Sequence, residues 1–268
     1  MVQQISLFGV IDEESYDLFI STITTLSGTS PILFSRFSTV WKPLSQQYDI
    51  DNIDAKNQIT EPNRITVSKS IPFNQFQFSS SSDAEYDYKI LKSLSDDTIP
   101  MDPQEIISII YKTNAQGSSS SSCSWSLAIS DIPAAGANKK VSLQTINESV
   151  LLYSTGEKSS LSDTMNALGY NLDYNYVTIG VKFYLKHELI IEVQKIWTIN
   201  NNNDTANTLQ VTKNGYLIKA YVDVNRSTDI DRINYTETLL LNLQRELQGY
   251  VDLVIPDRKS MDSRMSYF

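Results

Sequence analysis

Residues 176–199 restrict this chain more than any other stretch. Val177, Ile179, Val181, Phe183 and Leu185 alternate with Tyr176, Thr178, Gly180, Lys182, Tyr184 and Lys186. Successive side chains of a strand point to opposite faces, so this period of two predicts a half-buried strand. Leu189, Ile191, Val193, Trp197 and Ile199 repeat the pattern, broken at Lys195. Joining the runs as a hairpin is a question of register, because a slip of one residue turns an apolar set to the wrong face. A loop of His187 and Glu188 alone puts the two apolar sets on opposite faces. A loop of Lys186 to Glu188 brings Phe183 beside Ile191 and Val181 beside Val193. It also sets Lys182 across from Glu192, a favourable cross-strand pair. The weak point of this register is Glu188, because such loops favour Gly at their left-handed position.

Around the hairpin the chain reads mainly as strands. Residues 2–11, 31–43, 64–78, 86–94, 124–133, 141–154, 216–224 and 250–256 are all rich in β-formers or alternate. Asp12 is placed to cap a helix in which Tyr16, Phe19, Ile20, Ile23 and Leu26 form one face and Gly28 the stop. Pro103 opens a short helix, and the segment 161–169 is another, with Gly169 as its stop. Asp229 caps a long helix with Leu240, Leu243 and Leu247 as its stripe and Gly249 as its end. Residues 200–215 and the tail 257–268 are polar, the first expected as a loop and the second as a frayed end. A serine run, Ser118 to Ser122, marks a flexible insertion at about 113–124 within a single domain 1–268. Ten to twelve strands with few helices and no βαβ rhythm predict a mainly β (α+β) fold, an antiparallel multi-stranded barrel without exposed edges.

The inventory of reactive residues is thin. One Cys leaves no intramolecular disulfide and no Cys-based zinc site, and fits a reducing compartment. His187, the single histidine, falls in the hairpin turn, far from any base–nucleophile pattern. Asp229 and Asp231 read as helix caps before they read as magnesium ligands. No phosphate-cradling glycine motif is present. Barrels of the triphosphate tunnel family carry ExExK on an early strand; the strand Gln3 to Ile11 lacks it, and Glu192 to Lys195 matches only a fragment. A tunnel barrel that binds or hydrolyses triphosphate or polyphosphate therefore remains the alternative reading, without the converging carboxylates that a metal site needs. The net charge of −9 argues against direct nucleic-acid binding, which requires clustered cations. The opening residues lack the basic and apolar regions of a secretory signal, and no run reaches the length of a membrane span. Fifteen Tyr and three Trp, in contrast, exceed what one core usually takes, and such residues anchor interfaces. Trp41, Tyr184 and Trp197 are the candidate anchors. Core packing is the competing explanation for each, weakest for Tyr184 on the mixed face of its strand.

Several of these segments resemble the Mediator subunit 18 family in its budding-yeast form. The resemblance runs nearly end to end, through MVQQISLFG (1–9), TVWKP (39–43), EPNRI (61–65), WSLAISDIPAAG (125–136), LGYNLDYNYVTIGVKFYLKH (168–187), VQKIW (193–197), STDIDRINYTET (227–238) and ELQGYVDL (246–253). It implies a non-enzymatic coactivator subunit in the nucleus, in the head module of Mediator, with no cofactor. It implies a barrel related to the triphosphate tunnel fold, paired with a second barrel, Mediator subunit 20, and held by the C-terminal helix of Mediator subunit 8.

Overall fold

The structure, a computed structural model, describes residues 1–44, 63–76, 90–94, 99–111, 124–135, 139–152, 160–202 and 205–264. Among them nine strands form one antiparallel sheet: β1 (Val2–Asp12), β2 (Ile32–Pro43), β3 (Ile65–Ser70), β4 (Ser124–Ser130), β5 (Ser142–Leu152), β6 (Tyr170–Tyr184), β7 (Ile190–Asn202), β8 (Thr205–Gln210) and β9 (Gly215–Val224). Eight close into a barrel in the order β6-β2-β3-β4-β5-β1-β9-β7, with β7 returning to β6. β8 extends the β9 side of β7, pairing with Trp197 to Asn202 where β9 has ended. The helices are α1 (Tyr16–Ser27), α2 (Ile90–Ser93), α3 (Pro103–Tyr111), α4 (Leu161–Ala167) and α5 (Ile230–Glu246).

The β6–β7 hairpin takes the register with Phe183 opposite Ile191, Val181 opposite Val193 and Lys182 opposite Glu192. Its loop is Lys186–Glu188, and both His187 (φ 62°) and Glu188 (φ 64°) adopt the left-handed conformation without glycine. Glu188 is held there by Arg232 of α5 at 2.6 Å, and the His187 ring meets Tyr235 edge-on at 5.5 Å. These tertiary contacts offset the local strain.

The apolar face of the barrel points outward, against the helices. Tyr16 of α1 stacks on Tyr216 of β9 with ring centroids 4.3 Å apart, and the Tyr216 hydroxyl donates to the Leu91 carbonyl of α2 at 3.2 Å. Lys195, which interrupts the apolar run of β7, is fully buried on the same face. Its Nζ lies 2.6 Å from Glu13 Oε1, 3.0 Å from the Leu94 carbonyl and 4.8 Å from the Tyr216 ring. Tyr16, Phe19, Ile20 and Ile23 of α1 are buried as the periodicity predicts, whereas Leu26 is 43% exposed. Leu240, Leu243 and Leu247 are buried beneath α5, and Asp229 accepts from the Arg232 amide at 3.1 Å as its cap.

Several elements differ from the sequence expectation. Nine strands lie among the described residues, where the sequence predicts ten to twelve in the whole chain. Part of 86–94 is the short helix α2, whose Leu91 and Leu94 are buried. The polar stretch after Ile199 is strand, because β7 runs to Asn202 and β8 pairs back on it. Residues 250–256 form no strand, only a bridge between Val254 and Phe8. The tail to residue 264 is fastened. Arg258 donates to the Pro133 carbonyl at 2.7 Å, the Arg64 amide to the Ser263 carbonyl at 2.8 Å, and Arg264 bridges Asn63. The serine run and Cys123 lie outside the described residues.

Candidate functional site

With helices on the outer face, the other set of alternating side chains lines the lumen. Strand pairing puts them side by side: Phe34 with Gly180, Lys182 with Glu192, Glu192 with Lys219, Lys219 with Phe8, and Tyr221 with Ser6. Arg36 stands on β2, one turn of the pleat from Phe34. Thus β1, β2, β6, β7 and β9 each send polar or aromatic groups into one space.

Glu192 is the centre of this lining. Its side chain is 5% exposed, and one oxygen, Oε1, meets Lys182 Nζ at 2.9 Å, Arg36 Nη2 at 3.8 Å and the Tyr221 hydroxyl at 3.0 Å. Burial pushes its carboxyl upward, but the nearby Lys182, Arg36 and Lys219 charges outweigh that and hold it below the usual range. The same geometry raises the Tyr221 phenol, through burial first and then the adjacent Glu192 carboxylate. Lys182 Nζ sits 4.9 Å from the centre of the Phe34 ring. Lys219 Nζ sits 4.8 Å from the Tyr221 ring and 5.8 Å from the Phe8 ring. Across the lumen wall, Gln4 donates to Asp223 at 2.9 Å.

Chemically this is a charged, hydrogen-bonded lining whose central carboxylate is already engaged by two cations. Among the described residues, no group of three or more His, Cys, Asp and Glu could hold a metal ion. His187 is exposed in its turn and meets Tyr235 rather than a nucleophile. Of the three candidate anchors, the structure buries two. Trp41 is 1% exposed with its Nε1 donating to Thr39 at 2.8 Å, and Trp197 is 0% exposed. In this fold neither has surface to offer, because both are packed into the hydrophobic core. Tyr184 is 51% exposed at the hairpin end of β6, on the lumenal face, two residues beyond Lys182. Ile32, paired with Lys182 on β2, is 55% exposed beside it. Tyr184 and Ile32 thus rim one mouth of the barrel.

Sequence reasoning found the Lys182–Glu192 pair and missed Arg36, Lys219, Tyr221 and Ser6. The signal was available strand by strand. Lys219 falls between Ile218 and Ala220 in an alternating run, and Arg36 lies between Ser35 and Phe37. What one strand does not carry is which strands adjoin, and only the closed order brings these groups together.

The family described as Med18 protein matches residues 3–264. Mediator of RNA polymerase II transcription subunit 18 of Saccharomyces cerevisiae is 45% identical, over 100% of this chain and 98% of its own length. The corresponding protein of Kluyveromyces lactis is 39% identical over 100% of this chain and 99% of its own. Among solved structures, a chain in the Schizosaccharomyces pombe Mediator head module shares the fold, with a TM-score of 0.59 and 11% identity over 95% of this chain and 98% of that one. A family match over almost every residue, together with that identity from end to end, means that this chain belongs to the Mediator subunit 18 family.

Proposed function

We propose that this chain is a non-enzymatic, protein-binding subunit of the Mediator coactivator, acting in the nucleus within the head module in regulated RNA polymerase II transcription. The observation that carries this reading is the full-length identity to a Mediator subunit. The lumenal chemistry supports binding over catalysis, since Glu192 is held by Lys182 and Arg36 instead of standing free beside other carboxylates. Its partners are a second barrel, Mediator subunit 20, and the C-terminal helix of Mediator subunit 8. A helix of that kind lays an apolar stripe into a groove, and exposed aromatic residues are the usual anchors. Tyr184, the exposed member of the three candidates, is the anchor we assign.

The test is co-expression with Mediator subunits 20 and 8 followed by size exclusion. The expected result is one complex containing all three chains. Tyr184→Ala should weaken it by roughly 2 kcal/mol, the scale of a buried aromatic anchor. A chain that elutes alone beside both partners rejects the proposal. A complex indifferent to Tyr184→Ala rejects the anchor only.

A further inference from the structure

Among the described residues, Lys219 is a lumenal cation that makes no direct ion pair. Lys182 and Arg36 both reach Glu192, and Asp223 is occupied by Gln4, but among the described residues no carboxylate oxygen lies within ion-pairing distance of Lys219. Its ammonium rests instead against the Phe8 and Tyr221 rings. Ring faces attract a cation, yet they do not neutralise it. Beside it stands a second unsatisfied group. Ser6 is 1% exposed, and its hydroxyl has no hydrogen-bond partner. Ser6 pairs with Tyr221 on β9, and its strand neighbour Phe8 pairs with Lys219, so the hydroxyl and the ammonium share one part of the lumenal face. A buried hydroxyl left unpaired is a cost that native proteins seldom carry without a purpose.

We propose that the lumen of this barrel is a binding site for a small oxyanion, a phosphate or a carboxylate, taken without a metal ion by Lys219, Lys182 and Arg36 with the Ser6 hydroxyl as neutral donor. Three cations, Arg36, Lys182 and Lys219, surround the one buried carboxylate, Glu192, while the half-buried Asp223 accepts from Gln4 and Glu148, on the same face, stands exposed on β5. The proton equilibrium of Lys219 agrees. Burial lowers its pKa, the Arg36 and Lys182 charges lower it further, and the Glu192 and Asp223 charges oppose them without reversing the shift. A bound anion supplies the missing negative charge. Access is available, because the Arg36 and Lys182 side chains keep 42% and 20% of their surface although both point inward. Size is limited. Phe34 lies over Gly180 so closely that a Cβ there would sit 2.8 Å from the ring, and Phe8 and Tyr221 wall the other side. An oxyanion suits this donor set, since guanidinium, ammonium and hydroxyl groups all donate to its oxygens.

This site stands independently of the Mediator assignment, which survives if no anion binds. The experiment is calorimetric titration of the full chain in chloride buffer, first with inorganic phosphate and then with acetate. Saturable binding of one anion per chain is expected. Lys219→Met should weaken it about tenfold, as loss of a charge-assisted contact does, while Lys219→Arg stays within about threefold. Ser6→Ala removes only the hydroxyl and should weaken binding about three- to fivefold. It keeps the test valid if Lys219→Met does not fold. Tighter phosphate than acetate assigns the site to phosphate; the reverse assigns it to carboxylates. Absence of saturable binding of either anion overturns the proposal. So does affinity unchanged by Ser6→Ala and Lys219→Met, or binding that appears only with added magnesium.

Discussion

Glu192 shows what a lumen-facing charge costs and contributes. Alone on a sheet it would be an unfavourable burial; with Lys182 at 2.9 Å and Arg36 at 3.8 Å it becomes the counter-ion of two strands. Removing one partner of such a cluster leaves the others uncompensated, which for buried ions costs about 3–5 kcal/mol. Solvent reaches Arg36 and Lys182, so we expect Glu192→Gln to lose about 2 kcal/mol at neutral pH. The pH dependence follows from the direction of its shift. The folded-state pKa lies below the ordinary value of 4.5. Its stabilisation is therefore complete above that value and is lost as pH falls through the lower folded pKa. Denaturant titrations of both proteins at pH 7 and near pH 3 should show a gap that narrows in acid. A gap independent of pH would mean that packing of the Glu192 side chain, not its charge, carries the effect.

Among the elements, the β6–β7 hairpin was legible because its alternation is long and both strands pass through the core. Its register follows from matching Phe183 to Ile191 on one face and Lys182 to Glu192 on the other. α1 and α5 were legible for a similar reason, each having one apolar stripe and a defined stop. β8 was not, since its polar run carries no alternation that separates a strand from a loop. The lumenal site was half legible. One hairpin carries Lys182 and Glu192, but Arg36, Lys219 and Ser6 arrive from β2, β9 and β1, whose adjacency is a property of barrel closure. Lys195 illustrates the opposite error. In sequence it is a break in an apolar run, whereas in the fold it ties β7 to the turn before α1 through Glu13. That tie predicts an asymmetry. Glu13→Gln should cost about 2 kcal/mol, because it leaves a fully buried ammonium with one carbonyl and one ring; the part-exposed Glu13 keeps the figure below the usual range for buried pairs. Lys195→Met should cost less, since replacing a buried ion by an apolar group of similar length is often neutral. Urea denaturation of the two variants checks the order. Lys195→Met as the more damaging change would contradict it.

At the scale of the whole molecule, closure decides what the tail does. β5 pairs with β1 only from Val2 to Ser6, so the rest of that edge of β1 is open. Val254 fills it, exchanging both backbone hydrogen bonds with Phe8 at 2.9 and 2.7 Å. The chain then crosses β5 and β4 to the start of β3. Gln144 and Ser142 meet Met261 at 3.4 and 3.7 Å, Ser263 donates to the Ser130 carbonyl, and Arg264 bridges Asn63. These contacts are almost wholly polar and mostly part-buried; such a hydrogen bond contributes about 0.5–1.5 kcal/mol, and ordering the backbone offsets much of the sum. Removing the tail after Pro256 should therefore leave the barrel folded and cost only about 1–2 kcal/mol. For a chain of this size that is a fall of a few degrees in Tm, with the far-ultraviolet circular dichroism preserved. An unchanged Tm would show that the tail does not hold these contacts in solution. Loss of the β spectrum would show that it is part of the barrel wall, with Arg264 completing the edge of β3 as Val254 completes the edge of β1.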